Sequence, residues 1–254
     1  MIKKYLHNVI THERDFRLKL MGEGIIVGIF AGFLVVFFRI ALEKAEEIRH
    51  IVIEAISQKP DLLWLWFLFL AAGAFFVGCL LKKEPLISGS GIPQVEGQLL
   101  GKLEMNWLRV IISKLVGVII SITAGLSLGR EGPSIQLGAA AGQGVSRIFK
   151  RLKIEEKYLI TSGASAGLAA AFNAPLAGVM FSLEEVHRHF SPLILLSSMS
   201  ASLTADFISK QFFGLNPVFN FNEITPLSLS HYGYIVILGI ITGLCGVIYN
   251  KTLL

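Results

Sequence analysis

The stretch Gly129-Arg130-Glu131-Gly132-Pro133 follows a run, 107–128, that is apolar apart from Arg109 and Lys114. An earlier stretch, Ser88-Gly89-Ser90-Gly91-Ile92-Pro93, has the same design, a glycine-rich turn running into a proline. Proline fits the first turn of a helix, where its missing N–H is not needed. Both stretches therefore read as loops that feed helix N-termini. Both also interrupt strongly apolar sequence. That combination predicts helices broken inside a membrane, a pattern found in transporters.

The surrounding sequence supports a lipid environment. Of 254 residues, 53% are hydrophobic and 16% charged, with a mean hydropathy of +0.65. A soluble domain carries about 25% charged residues. Residues 62–81 hold no charge, and about 20 apolar residues suffice to cross a bilayer core. Trp64 and Trp66 stand at the start of that span, where aromatic rings favour the lipid–water interface. Further apolar runs cover 24–38, 192–213 (with Asp206) and 232–249; the first continues as an amphipathic helix through Arg39, Glu43 and Lys44 to Arg49, and 219–230 reads as a loop. Segments near 91–100, 134–146, 158–172 and 176–187 read as shorter than the ~17 residues needed to cross.

The expected fold is all-α, a polytopic membrane protein with broken and re-entrant helices. A basic arm, 1–21, with Lys3, Lys4, Arg14, Arg17 and Lys19, precedes one transmembrane domain over 22–254. Positive charge beside a first span favours the cytoplasmic side, and no cleaved signal peptide is visible. The formal charge of +5 needs no nucleic-acid partner, since the arm accounts for much of it. With the arm inside, the basic stretch holding Arg147, Lys150, Arg151 and Lys153 is expected outside. Cys79 and Cys245 lie in apolar segments and give no metal spacing or disulfide framework. No cofactor is expected.

Three places carry chemistry. Gly89, Ser90, Gly91 and Ile92 open a helix whose exposed N–H groups carry about half a positive charge, a natural anion site; the alternative is a tight turn between packed helices. Arg130, Glu131 and Gly132 open a second. Glu131 can occupy the place of an anion and leave when protonated, or simply cap its helix. Glu184 and Glu185 close the third region and can relay protons or face water. Together with His187 and His189 they also suggest a metal site in a membrane-embedded enzyme. On a continuous helix, however, 185 and 189 share a face that 187 does not. The small residues from Gly163 to Ala171 read as helix packing. Lys114 and Asp206 are intramembrane charges with no partner evident in the sequence.

The stretches GSGIPQVEG (89–97), GREGPSIQLG (129–138) and GASAGLAAAFNAPLAGVMFSLEE (163–185) together resemble the CLC family of chloride channels and chloride/proton antiporters. The resemblance runs from about Gly22 to Asn250. It implies that Ser90 and the amides around Gly89–Ile92 contact an inner anion, and that those around Arg130–Gly132 contact an outer one. It makes Glu131 the gate and Glu185 the inner proton-transfer residue, with Glu184 and Glu96 near the proton route. It further implies chloride and protons as transported ions, a multi-pass protein of the cell membrane, a homodimer, and no enzyme activity. Family subunits contain two halves of opposite topology. The resemblance covers the first, and the second half's helix start and tyrosine hydroxyl have no counterpart here. Gln94 stands where many members carry glutamate. The expectation is a fragment of a chloride/proton antiporter, with a passive anion channel, the embedded enzyme and an inert truncated product as alternatives.

Overall fold

The computed structural model describes the backbone of residues 2–215 and 228–253, and the side chains of 14–215 and 228–252. Most of the expected loop at 219–230, and the side chains of Lys3 and Lys4, lie outside the described residues. The elements are α1 (Ile2–Gln58), α2 (Leu63–Lys83), α3 (Ile92–Leu99), α4 (Trp107–Thr123), α5 (Glu131–Ile148), α6 (Lys153–Phe172), α7 (Pro175–Phe181), α8 (Pro192–Phe213) and α9 (Tyr232–Leu253). The described residues contain no strand. Arg14–Gln58, Pro60–Lys83, Pro192–Phe213 and Leu229–Thr252 are long and apolar enough to cross a membrane.

The chain divides into two units, Met1–Val218 and Phe219–Leu254. In the described part of the second, α9 follows a short helical turn, Leu229–His231. In the first unit the core is the α5–α6 pair. Every residue from Gly132 to Ser146 is buried. The pair is close because its contact face lacks side chains: Gly138 lies against the carbonyl of Gly163, Gly142 against that of Leu159, and Gly167 against that of Ser134. α1 approaches α8 in the same way, through Gly24, Gly28 and Gly32 against Ser197, Ala201 and Ala205. Hydrocarbon competes fully with apolar side chains for apolar contacts, so close packing of small residues is what holds such helices together. α2 has no buried residue, with Trp64 and Phe75 turned outward, as a lipid-facing helix requires.

Two expectations change. α5 and α6 are 18 and 20 residues long, about 27 and 30 Å, and so long enough to cross. Only α3, with 8 residues, and α7, with 7, are short. The sequence hid this because each helix is extended by polar residues. α5 begins at Glu131, two residues before Pro133, and α6 begins in the basic stretch, where Glu155 accepts from the backbone N–H of Leu152 at 3.4 Å.

The basic stretch is also at the other end from that expected. Lys19 pairs with Glu155 at 2.8 Å, and Arg151 pairs with the buried Glu23, so the α5–α6 turn sits beside the start of the apolar part of α1. The reason is parity. The expectation counted three passages before this stretch and took 134–146 as too short to cross; α5, at 18 residues, is long enough to add a fourth, which returns the chain to its starting side.

The helix contact gives a stability prediction. In Gly163→Leu the new side chain would meet the backbone of α5, which cannot turn aside as a side chain can. The expected cost is about 3 kcal/mol or more. It is read as a lower midpoint of thermal aggregation in detergent, while a leucine at Gly22, where no atom lies within 4 Å, should leave the midpoint unchanged.

Candidate anion site

The two glycine-flanked helix starts meet. A Cβ on Gly132 would collide with the carbonyl oxygen of Ser90, and its contact with the Ser90 Cβ would be 2.8 Å. Only glycine allows α5 to begin this close to the loop that opens α3. Gly91 has φ +101°, a left-handed backbone that glycine adopts without strain, and it turns the chain into α3.

The loop before α3 is held by its carbonyl oxygens. Gln136 donates to Leu86 at 2.7 Å and Gln94 to Ser88 at 2.9 Å. The Lys114 ammonium, 2% exposed, donates to Ile87 at 2.9 Å and to Gly89 at 2.8 Å. Lys114 thus has partners after all, but they are backbone carbonyls rather than an acid, which is why no charge pattern showed them. Gln94 uses an amide N–H here, a donor that glutamate in its ionised form lacks.

The amide groups are left over. Among the described residues, the N–H groups of Gly89, Ser90 and Gly91 have no partner, nor do those of Arg130, Glu131 and Gly132. The first amides of a helix are unpaired by construction. The Ser90 hydroxyl accepts from Ile92 N–H at 3.3 Å. Around one junction the chain therefore presents six free amides and the buried Lys114 charge, with no acid other than Glu131 in 88–93 or 129–133. Such a junction attracts an anion.

Glu131 is exposed and folds back over Gly129, where a Cβ would lie 2.5 Å from its Oε2. Its carboxylate thus sits at the positive end of α5. Arg130 turns the other way, its guanidinium 5.4 Å from the centre of the Phe172 ring at the end of α6. Arg39 reaches the same end of α6. Buried in α1, it donates to the Ala170 carbonyl at 2.9 Å, to Asn173 at 3.2 Å and to Ser209 at 2.9 Å, and it stacks 3.7 Å over Phe213. Asn173 ends α6 in the left-handed conformation. Arg39 therefore fixes the break before α7. In the sequence it read as one charge of an amphipathic helix; a lone arginine inside an apolar run was the available signal. Asp206, likewise unassigned in the sequence, pairs with Lys210 at 2.6 Å.

Glu184 and Glu185 are both exposed and lie in a wide helical turn, Ser182–His187, that continues α7. His187 Nε2 is 2.8 Å from the Thr161 hydroxyl, which ties the turn to the N-terminal half of α6. The helix stops there, because Arg188 is left-handed. So 185 and 189 do not share a helical face, contrary to the expectation. Among the described residues, no group of three His, Cys, Asp or Glu could hold a metal ion. Thr161 and Phe172 are separated by about 16 Å along α6. The structure therefore places Glu185 and Glu131 toward opposite ends of that helix, and it does not bring them together. Glu96 is half-buried in α3.

Residues 72–254 match the family model described as the voltage gated chloride channel. The chain belongs to this family. It is 34% identical over 231 residues to the H(+)/Cl(-) exchange transporter ClcA of Vibrio vulnificus (strain YJ016), covering 89% of this chain and 50% of that one. It is 31% identical over 242 residues to ClcA of Salmonella schwarzengrund (strain CVM19633), covering 93% and 51%. A solved slow cyanobacterial Cl-/H+ antiporter superposes with a TM-score of 0.80 at 36% identity, over 91% of this chain and 56% of that one. A CLC-type fluoride/proton antiporter gives 0.70 at 26%, over 90% and 55%. The chain spans about half the length of the curated relatives it matches. The all-α architecture with short, broken helices is thus that of a known membrane transporter family.

The geometry makes Lys114 and Gly129 testable. Lys114→Met leaves the Ile87 and Gly89 carbonyls without donors and removes the buried charge. Chloride affinity of the full-length product, measured by calorimetry, should fall about tenfold, the loss of about 1.5 kcal/mol for a charged hydrogen bond. Gly129→Ala should expel the Glu131 carboxylate from its position and raise chloride affinity, because the carboxylate no longer competes.

Proposed function

We propose that this chain forms the anion-binding half of a chloride/proton antiporter of the cell membrane. The observation that carries the reading is the convergence of two helix starts with free amides, one of which bears the Glu131 carboxylate. A chloride ion and an ionised Glu131 compete for the same positive end. Protonation neutralises the carboxylate, and it withdraws as chloride enters. Each exchange of occupant then changes the proton count, which is the basis of coupling. Glu185, and Glu184 beside it, receive protons at the end of the protein where the basic arm lies; the arm marks that end as cytoplasmic. The names of the relatives support exchange, and the homodimer expected from the family remains part of this reading. Chloride and protons are the cargo, lipid the solvent, and no enzyme chemistry is assigned to the acidic and histidine side chains at 184–189.

A passive anion channel would use the same amides without coupling. Flux from liposomes containing the full-length gene product separates the two. Chloride efflux should drive proton movement in the opposite direction. Glu131→Gln should retain chloride flux and lose proton movement, and Glu185→Gln should do the same. Chloride flux with no proton counter-movement in the unaltered protein would establish the channel.

A further inference from the structure

At the end of the molecule where Arg151 meets Glu23, a polar cavity of about 110 Å³ opens between the C-terminus of α3, the start of α4, the end of α5 and the start of α6. It has room for several waters or one phosphate-sized group. Lys153 and Lys157, four residues apart and so on one face of α6, line it and have no ion-pair or hydrogen-bond partner among the described residues. Glu104 lines it, likewise unpaired. Arg147 is engaged with Glu156 at 3.1 Å. Gln98 and Gln143, 9% and 3% exposed, also line the cavity, and the Oε1 of each is buried without a partner. A buried carbonyl oxygen without a donor is costly, so both call for a donor from outside the chain.

Beside this cavity runs a groove that is almost wholly apolar, of about 410 Å³, lined by Phe30, Phe33, Phe37, Trp107, Gly144 and Ile148. Cavity and groove are lined by residues next to one another in the chain. Gln143 and Arg147 of α5 line one, and the next residues, Gly144 and Ile148, line the other; Glu104 and Trp107 divide in the same way at the start of α4. The groove runs inward. Along α1, Phe30 and Phe37 lie about 10 and 21 Å deeper than Glu23.

Two unpaired ammonium groups call for a phosphate. An unpaired carboxylate and two orphaned amide oxygens call for a cationic hydrogen-bond donor. The groove calls for a hydrocarbon chain running toward the bilayer centre. We propose that this corner holds one phosphatidylethanolamine molecule. Its phosphate lies on Lys153 and Lys157, its ammonium faces Glu104, Gln98 and Gln143, and one acyl chain fills the groove. Phosphatidylcholine offers the same phosphate and chains but no N–H, and so cannot satisfy the two oxygens. The site is separate from the helix starts that bind the anion, and its occupancy does not depend on the transported ion.

The test uses the full-length product purified into nanodiscs of mixed phosphatidylethanolamine, phosphatidylcholine and phosphatidylglycerol, with retained lipid counted by native mass spectrometry. Phosphatidylethanolamine should be retained at one per subunit in preference to the other two. The double variant Lys153→Gln/Lys157→Gln should lower that retention about tenfold or more, since each basic side chain near a lipid surface contributes about 1 kcal/mol. Ile148→Asn, at a position 63% exposed and so tolerated by the fold, should lower it as well. Equal retention of phosphatidylcholine, or unchanged retention in the lysine variant, would overturn the proposal. So would binding of soluble phosphoethanolamine as tight as that of the lipid, unaffected by Ile148→Asn.

Discussion

The contact on which the rest of the molecule depends is that between Gly132 and Ser90. It brings two helix starts against each other, and helix starts of like polarity repel. Their meeting is sustained by what surrounds them. The carbonyl oxygens of 86–89 are each taken by a side-chain donor from α3, α4 or α5, so the loop's acceptors are satisfied while its donors stay free. On the proposed function, an anion, or the Glu131 carboxylate in its place, supplies the negative charge that the junction lacks. Binding and stability are therefore one property here: the occupant completes the hydrogen bonding of the fold.

That junction sits on a frame built from small residues. Gly138, Gly142, Gly163 and Gly167 let α5 and α6 touch backbone to backbone, which fixes the depth at which α5 begins. Arg39 fixes the other end of α6 through Ala170 and Asn173. Between these two restraints lies the length of α6, with Arg130 on Phe172 near one end and His187 on Thr161 toward the other. The distance between Glu131 and Glu185 follows from it.

Much of this was legible in the sequence. The starts of α3 and α4, the bounds of α8 and the two glycine-rich breaks follow from hydropathy and from proline and glycine placement. The three motifs named the family. What was not legible has a common cause. The lengths of α5 and α6 depend on polar end turns stabilised by ion pairs across 136 residues of chain, such as Lys19 with Glu155. The partners of Lys114 and Arg39 are backbone carbonyls, which leave no mark in residue type. The side occupied by the basic stretch depends on α5 being long enough to cross, whereas the apolar part of that segment, 134–146, is not. Each of these is a long-range fact, and local periodicity does not contain it.

The central claim is that an anion sits where the two helix starts meet. Crystals of the full-length product grown in bromide test it directly through anomalous diffraction. The account predicts bromide density beside the amides of Gly89–Ile92 and, in Glu131→Gln, a second peak beside those of Arg130–Gly132. Bromide bound elsewhere, with neither helix start occupied in the unaltered protein or the variant, would contradict it.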